Sequence, residues 1–329
     1  MNINKDNSLS SKIFLSCHRS EEKTVLGERY FDIPYKLTHY GNVRDTDHLE
    51  MILMSSSPGI MGGDTLQQDI ICEENAAFKY FTQSFNKVHP AHKSEGSKQI
   101  CNFTLEAGAK FLYVPHPTIP YRDSSFEALN TIKMTSSSHL IWGDIISGGR
   151  IHSGERFELK KYHTKTKVYR DERLILFDNQ LIEPSTQPVE DLLFFEGYTH
   201  QGTLLLISPY AEAFKRELDE ILLEQFTDSS YGFTMCAENA IMVRIMGYSG
   251  EALHDWLFNI GNMAWSFFEY QEKEASEAKQ TKAEIKEIAV KKQEPKPKKK
   301  VTAKAKTPTA KKPKTTAKSK PSAKKKTEK

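Results

Sequence analysis

From about Thr24 to Ser208, apolar and polar residues alternate in short segments separated by Gly, Pro, Asn and Ser. A period of two turns one side of an extended chain toward a core and the other outward, so the pattern predicts β-strands, read as antiparallel sheet. Cys101, Phe103 and Leu105 point one way while Asn102, Thr104 and Glu106 point the other. The same alternation predicts strands over 50–55, 66–72, 77–82, 110–114, 126–134, 139–146 and 156–160. Asp171-Glu172, between two apolar runs, predicts a hairpin turn without the glycine such turns favour. No segment recurs at a fixed period, which argues against a propeller or a regular solenoid.

After residue 200 the period changes. A buried-type strand over 203–207 is followed by Ala211, Phe214, Leu218, Ile221 and Leu222 at the spacing of an amphipathic helix, ending near Asp228-Ser229-Ser230. Strands are predicted over 233–237 and 240–247. Ser249 then caps a second helix with Leu253, Trp256, Leu257, Ile260, Ala264, Phe267 and Phe268 on its apolar side. The expected fold is mainly β with two C-terminal helices: a stacked or helical β-sheet scaffold over 1–200, then a strand-helix-strand-strand-helix unit over 201–270 packed on it. Residues 271–329 form a Lys/Ala/Pro-rich extension, helical at first and expected to be disordered beyond about 295, where apolar residues nearly vanish.

Charge separates the same parts. Gln271 to Lys329 holds 21 lysines, no arginine and 7 glutamates, so the extension carries +14 and the body before it −11. Such a tail would bind polyanions by counterion release, making nucleic-acid or polyanion binding the rival function; without interleaved aromatics it would not read sequence. The alternatives are a solubility tail or an arm embracing an acidic partner or this chain's own body. No apolar run approaches the roughly 18–20 residues of a membrane helix. The first twenty residues lack a secretory h-region. Four scattered cysteines without a C-x-x-C pair, Cys17, Cys72, Cys101 and Cys236, argue for reduced thiols in a cytoplasmic protein.

Familiar catalytic motifs are missing: no phosphate loop, no dinucleotide fingerprint, no nucleophile elbow and no H-E-x-x-H. His89-Pro90-Ala91-His92 is the nearest approach to a metal pair, set in a polar loop with no second pair of ligands apparent. Ser57-Pro58-Gly59-Ile60-Met61-Gly62-Gly63-Asp64 is the densest backbone signal. Pro58-Gly59 suits the centre of a type II turn, and Gly62-Gly63 permits positive φ or close chain approach before Asp64. Alone, this segment reads as a tight connection between strands.

In combination with several later segments, the chain resembles the urease accessory protein UreD family, called UreH in some bacteria. The resemblance rests on Ser57-Pro58-Gly59 and Gly62-Gly63-Asp64; Thr82-Gln83-Ser84-Phe85 with Lys87-Val88; Ala107-Gly108-Ala109; Tyr113-Val114-Pro115-His116-Pro117 with Ile119-Pro120; Gly148-Gly149-Arg150, Gly154-Glu155 and Phe157; and Asp171-Glu172. It covers most of the body in order and leaves out the lysine-rich extension. It implies a mainly β, non-enzymatic metallochaperone scaffold. Such a scaffold binds apo-urease and acts with UreF and the GTPase UreG, and indirectly with UreE, to deliver nickel, a transient cargo rather than a bound cofactor.

A conduit for nickel should be carboxylate-lined and wet, since isolated carboxylates and water release Ni²⁺ where imidazole and thiolate clusters hold it. The candidates are Asp64, Asp144 and Glu155. Asp144 lies within Leu140-Ile141-Trp142-Gly143-Asp144-Ile145-Ile146, where a carboxylate must be paired, hydrated or exposed on one face. The structural alternatives are a solvent-facing position or a salt bridge to Arg150 or Arg156. Family members often carry Glu there. For Asp64 the alternative is a turn residue, and for Glu155 an exposed strand position. Paired carboxylates of a hydrolase, Asp64 with Asp144, would have to face one cleft. Trp256, Trp265 and Phe268 are candidate partner contacts, with core packing as the alternative.

Overall fold

The computed structural model describes residues 2–3, 8–40, 46–91, 96–222 and 228–293, with side chains from 8 to 282. The expected disorder beyond about 295 lies outside the described residues. Met1–Glu277 forms one compact unit and Ala278–Lys329 a second, of which 278–293 is helical.

The first unit is a coil. The chain enters through β1 (Asn2–Ile3), β2 (Leu9–Ser20), β3 (Lys23–Phe31) and β4 (Tyr35–His39) and then winds in successive turns. Each turn lays one strand in one sheet, makes a short third side, and lays the next strand in the opposite sheet. The turns are β5 (Leu49–Ser55) to β6 (Thr65–Cys72); β7 (Ala77–Thr82) through β8 (Asn86–Val88) to β9 (Ser97–Leu105); β10 (Lys110–Tyr113) through β11 (Thr118–Pro120) to β12 (Ser125–Met134); and β13 (His139–Ser147) to β14 (Lys161–Arg170). Neighbouring turns pair in parallel: β5-β7-β10-β13 on one side and β2-β6-β9-β12-β14 on the other.

The expectation of antiparallel sheet is therefore corrected for the body of the coil. Alternation reports that one strand face is buried, not which way the neighbour runs, and a coil gives parallel strands one inner and one outer face. The turns are unequal in length, starting at Ala77, Lys110 and His139, so the sequence has no fixed period although the backbone coils.

Antiparallel pairing closes both ends. Beyond β14, β15 (Arg173–Ile182) returns through Asp171-Glu172, whose φ values of 48° and 65° are both left-handed, as a two-residue hairpin requires. The Asp171 carboxylate accepts a hydrogen bond from the Ser136 amide (3.1 Å), which fixes the turn without glycine. Residues 156–160 are not a strand. Phe157 and Leu159 are buried as a strand would bury them, but Phe157 is left-handed (φ 51°), and the segment's backbone bonds to the Gly148 and Ser124 carbonyls at a corner.

β16 (His200–Ile207), β17 (Ser230–Ala237) and β18 (Ala240–Gly247) extend the β13 sheet by antiparallel pairing in the order β13-β16-β18-β17. Two helices cover that sheet's outer face. α1 (Ala211–Leu222) buries Ala211, Phe214, Leu218 and Leu222, and Ile221 is exposed; residues 223–227, which precede the expected end near Asp228, lie outside the described residues. α2 (Gly250–Gln293) is capped by Ser249, whose Oγ accepts the Ala252 amide (3.3 Å), and buries Leu253, Leu257, Ile260, Ala264, Trp265 and Phe268 against the sheet. Lys110 (3.0 Å) and buried His139 (2.8 Å) both hold Glu272 of α2. Burial alone would raise the Glu272 pKa, but the His139 hydrogen bond and the charges of His139 and Lys110 outweigh it and lower it.

Inside the coil, residues at one register stack from turn to turn. Met51, Tyr80, Tyr113 and Trp142 form one such row, with ring centroids 5.3 Å apart for Tyr80–Tyr113 and 5.1 Å for Tyr113–Trp142. Opposite, Leu15, Ile70, Phe103, Ile132 and Val168 form an apolar row, all at most 1% exposed. Such rows bury about 1.5–3 kcal/mol per large side chain and fasten each turn to the next.

Candidate functional site

One row inside the coil breaks the apolar pattern. Gln68, Cys101, Asn130 and Thr166 share a register position across β6, β9, β12 and β14 and point inward, as does Gln99 one inward position away. Their hydrogen bonds are mostly internal: Tyr80 Oη donates to Gln68 Oε1 (3.1 Å) and Asn130 Nδ2 to Thr166 Oγ1 (3.0 Å). Polar groups at this depth cost stability unless partnered, so their clustering marks space for water.

That space is a cavity of about 180 Å³ between the two sheets. Its deep wall includes Gln68, Gln99, Tyr113, Asn130, Trp142, Asp144, Tyr162 and Thr164, and its outer rim Ser57, Pro58, Gln83, Ser84, Lys87 and His116. Trp142 Nε1 is buried without an acceptor among the described residues, a donor that a cavity water would satisfy. The rim is built from three of the segments that carry the family resemblance, at 57–59, 82–87 and 115–116.

Asp144 is the one carboxylate in the lining among the described residues. Period two along β13 places it on the inner face with Trp142, while Ile141 and Ile145 face the helices. It has no ion pair among the described residues; Tyr162 Oη approaches its Oδ1 at 3.5 Å. Burial, and next the charge of Asp178, push its pKa up to about 6, with the Tyr162 hydrogen bond acting the other way. Arg150 and Arg156 pair elsewhere, with Glu155 and Glu190, so the expected salt-bridge alternative for Asp144 is not found among the described residues.

The other two candidate carboxylates are not brought to this cavity. Asp64 pins the connection into β6: Oδ1 accepts from the Leu9 amide (2.8 Å) and Oδ2 from the Met61 amide (2.9 Å). Glu155 is 6% exposed and held by the Arg150 guanidinium through both oxygens, with the Arg122 amide (3.3 Å) on Oε2; the Arg150 bond first of all lowers its pKa. It is thus buried rather than strand-exposed. Asp64→Ala leaves two backbone donors without acceptors and should cost about 1–2 kcal/mol in a urea titration. A change under a few tenths would show the pinning to be dispensable.

In the glycine-rich connection, the left-handed position is Gly63 (φ 87°), in the turn closed by the Asp64 amide on the Met61 carbonyl (3.0 Å). Gly59 (φ 156°) also has a φ that side chains rarely adopt, and it serves close approach as well: a Cβ there would lie 2.4 Å from the Lys87 carbonyl oxygen. The type II turn expected at Pro58-Gly59 is accordingly replaced by a bridge between Ile60 and Val88. Trp265 and Phe268 are 3% and 1% exposed in the helix-side core and Trp256 is partly buried, so these aromatics pack within the chain. His89 contacts Tyr121, while His92 lies outside the described residues.

Sequence reading missed Gln68, Gln99, Asn130, Tyr162 and His116. The available signal was a polar residue at an inward position of an otherwise apolar strand face, as in Leu66-x-Gln68-x-Ile70-x-Cys72. His116 stacks on His254 (4.3 Å between centroids), and burial together with the His254 charge lowers its pKa to about 4. It is therefore neutral at physiological pH.

Fold and site define a class: a two-sheeted β-coil, helix-covered on one side, with a polar, single-carboxylate cavity in its interior. A family model described as UreD urease accessory protein matches residues 10–276. The chain is 31% identical over 258 residues to a urease accessory protein UreD of Acetivibrio thermocellus, covering 78% of this chain and 97% of that protein. It is 31% identical over 247 residues to UreD of Flavobacterium johnsoniae (74% and 88%) and 30% over 189 residues to UreH of Helicobacter pylori strain P12 (57% and 71%). The chain belongs to the UreD family of urease accessory proteins, and its role lies in urease maturation. The 271–329 extension lies almost wholly beyond the matched region.

Proposed function

We propose that the protein is a non-catalytic scaffold that binds apo-urease and, with UreF and the GTPase UreG, passes nickel to the urease active site. UreE would act upstream, and nickel would be a transient cargo. The observation that carries this reading is the cavity of about 180 Å³ with Asp144 in its wall and the family's own motifs at its rim. A lone carboxylate among amide and hydroxyl groups suits passage, because it attracts Ni²⁺ without completing a ligand set that would hold it. No helix among the described residues is long and apolar enough to cross a membrane. A cytoplasmic place of action remains part of the proposal.

The test is urease activity and nickel content in cells lacking this gene, with rescue by the full chain and by a chain ending at Gln271. Nickel-poor, inactive urease restored by both would support the scaffold reading with an accessory tail. Fully metallated urease without the gene would overturn it. The 21 lysines after Tyr270 favour a second reading, polyanion binding through the tail, which predicts salt-sensitive DNA retention lost on truncation.

A further inference from the structure

The polar row inside the coil does not end at the cavity. From Gln68, Cys101, Asn130 and Thr166 the same register position continues to Asp178 on β15. On the facing sheet, Asp144, Thr203 and Arg244 share one position across β13, β16 and β18. Both rows start in the cavity wall and run to the last strands of their sheets, where Arg244 Nη2 reaches across and donates to Asp178 Oδ1 (2.9 Å). A second cross-sheet bond lies alongside. Gln180, the register neighbour of cavity-lining Thr164, donates through Nε2 to Oε1 of Gln201 (2.7 Å).

Polar side chains bridging the two sheets depart from the way the rest of the coil is closed. In the earlier turns the inner faces meet through rings, as Phe103 does with Trp142 (5.1 Å between centroids), and beside the polar strip itself Val168, Leu205 and Ile207 join the apolar core. Apolar side chains of similar size would hold the sheets together at lower cost, so fastening alone does not account for the strip.

The bridge also stands at the solvent. The Asp178 and Arg244 side chains are 27% and 52% exposed. Beyond Arg244 the row reaches Gly232 on β17, where a Cβ would meet nothing within 4 Å, so the space past the guanidinium is open. Inward, the charge of Asp178 reaches Asp144 and is the second cause of its raised pKa, so the two carboxylates sense each other along the strip. An ion pair this exposed contributes at most about 1 kcal/mol, which makes it a latch that thermal motion opens.

We infer that the β15–β18 end is a second mouth of the cavity and that Arg244 is its gate, a tethered cation that closes the mouth while it is paired with Asp178. The inference takes from the scaffold reading only the cargo, a divalent cation, for which Asp178 is the next carboxylate after Asp144. The opening itself is tested without that reading.

The experiment follows exchange of the indole N–H groups in the full chain labelled with ¹⁵N-tryptophan. Trp142 Nε1 lies in the cavity wall and Trp265 Nε1 in the helix-side core; both are buried without an acceptor among the described residues. The first therefore reports the mouth and the second any general loosening. Arg244→Gln should speed Trp142 exchange by about tenfold or more while Trp265 exchange and the melting midpoint stay at wild-type values. Arg244→Lys, which keeps the charge, should remain near the wild-type rate. Raising NaCl from about 0.05 M to about 0.5 M should speed Trp142 in the wild type, because salt screens a part-exposed pair, and should have no such effect in Arg244→Gln. The wild-type salt series needs no variant to fold. Trp142 exchange that ignores the substitution or the salt, or that speeds only together with Trp265, would reduce the bridge to a fastening of the two sheets and overturn the gate. The scaffold reading fails separately, if urease is fully metallated without the gene. In that case faster Trp142 exchange would still establish the mouth, with a cargo other than nickel for urease.

Discussion

Asp144→Asn should make the protein more stable at neutral pH and less able to support urease maturation. The carboxyl pKa of about 6 in the folded state exceeds the ordinary aspartate value of 3.8. Between these values the native state binds more protons than the unfolded one, so the contribution of Asp144 to stability falls as pH rises through the window. Fully applied, the shift would be worth about 3 kcal/mol; water in the cavity screens the charge, so about 1–2 kcal/mol is expected. Asparagine keeps the shape and removes the charge. Urea midpoints at pH 5 and pH 7.5 should therefore diverge for the wild type relative to the variant, the variant gaining at both but about twice as much at the higher pH. Equal pH dependence in the two proteins would mean that Asp144 is solvated like a surface carboxylate. In cells, urease nickel content should drop with Asp144→Asn and largely return with Asp144→Glu, which restores the charge. Unchanged nickel content with a folded, partner-binding variant would remove Asp144 from the path.

The opposed effects on stability and function follow from how the coil is built. Its rows of stacked side chains are apolar wherever they only hold turns together, as in Leu15-Ile70-Phe103-Ile132-Val168. Gln68, Cys101 and Asn130 interrupt that logic at one register, opposite Asp144. Replacing a buried polar ladder by apolar side chains is generally neutral or stabilising, so its presence is a cost borne for something other than folding.

Most strands of the body and both helices were legible because alternation and the three-to-four spacing report burial directly, whereas β2 lies before the stretch read as sheet. Strand direction was not, because an inner and an outer face look alike in parallel and antiparallel sheets. The corner at 156–160 imitated a strand for a related reason: Phe157 and Leu159 alternate inward, but their backbone bonds to a loop. The cavity was half legible. Asp144 stood out as a carboxylate in an apolar run; Asp64, read first as a turn residue, and Glu155, with an exposed strand position as its alternative, serve the backbone and an arginine. Which carboxylate is isolated depends on residues far away in the chain, and spacing holds no record of that. Gln68 carried a signal in its own strand, but that it and Asn130 line one space follows only from the register that joins β6, β9 and β12.

Gly59→Ala should be the most disruptive single-methyl change at the rim. The added Cβ would lie 2.4 Å from the Lys87 carbonyl oxygen and 2.8 Å from the His89 ring. That carbonyl cannot rotate aside, because it accepts the Ile60 amide at 2.8 Å, and the Ile60 carbonyl in turn accepts the His89 amide at 2.8 Å. The methyl must therefore separate the two segments, opening the bridge between Ile60 and Val88, which are 4% and 0% exposed. Two lost hydrogen bonds with loosened packing predict a loss of about 3 kcal/mol. Gly154→Ala is the matching comparison. Gly154 is left-handed (φ 81°), yet a Cβ there meets nothing within 4 Å, so only backbone strain of about 1 kcal/mol applies. Gly59 too has a positive φ (156°), so both variants carry backbone strain, and the excess loss of Gly59→Ala over Gly154→Ala in urea unfolding reads the close approach. If Gly59→Ala were as mild as Gly154→Ala, the rim would be pliant, and the Ser57-Pro58-Gly59 segment would owe its form to partner contact rather than to the shape of the cavity.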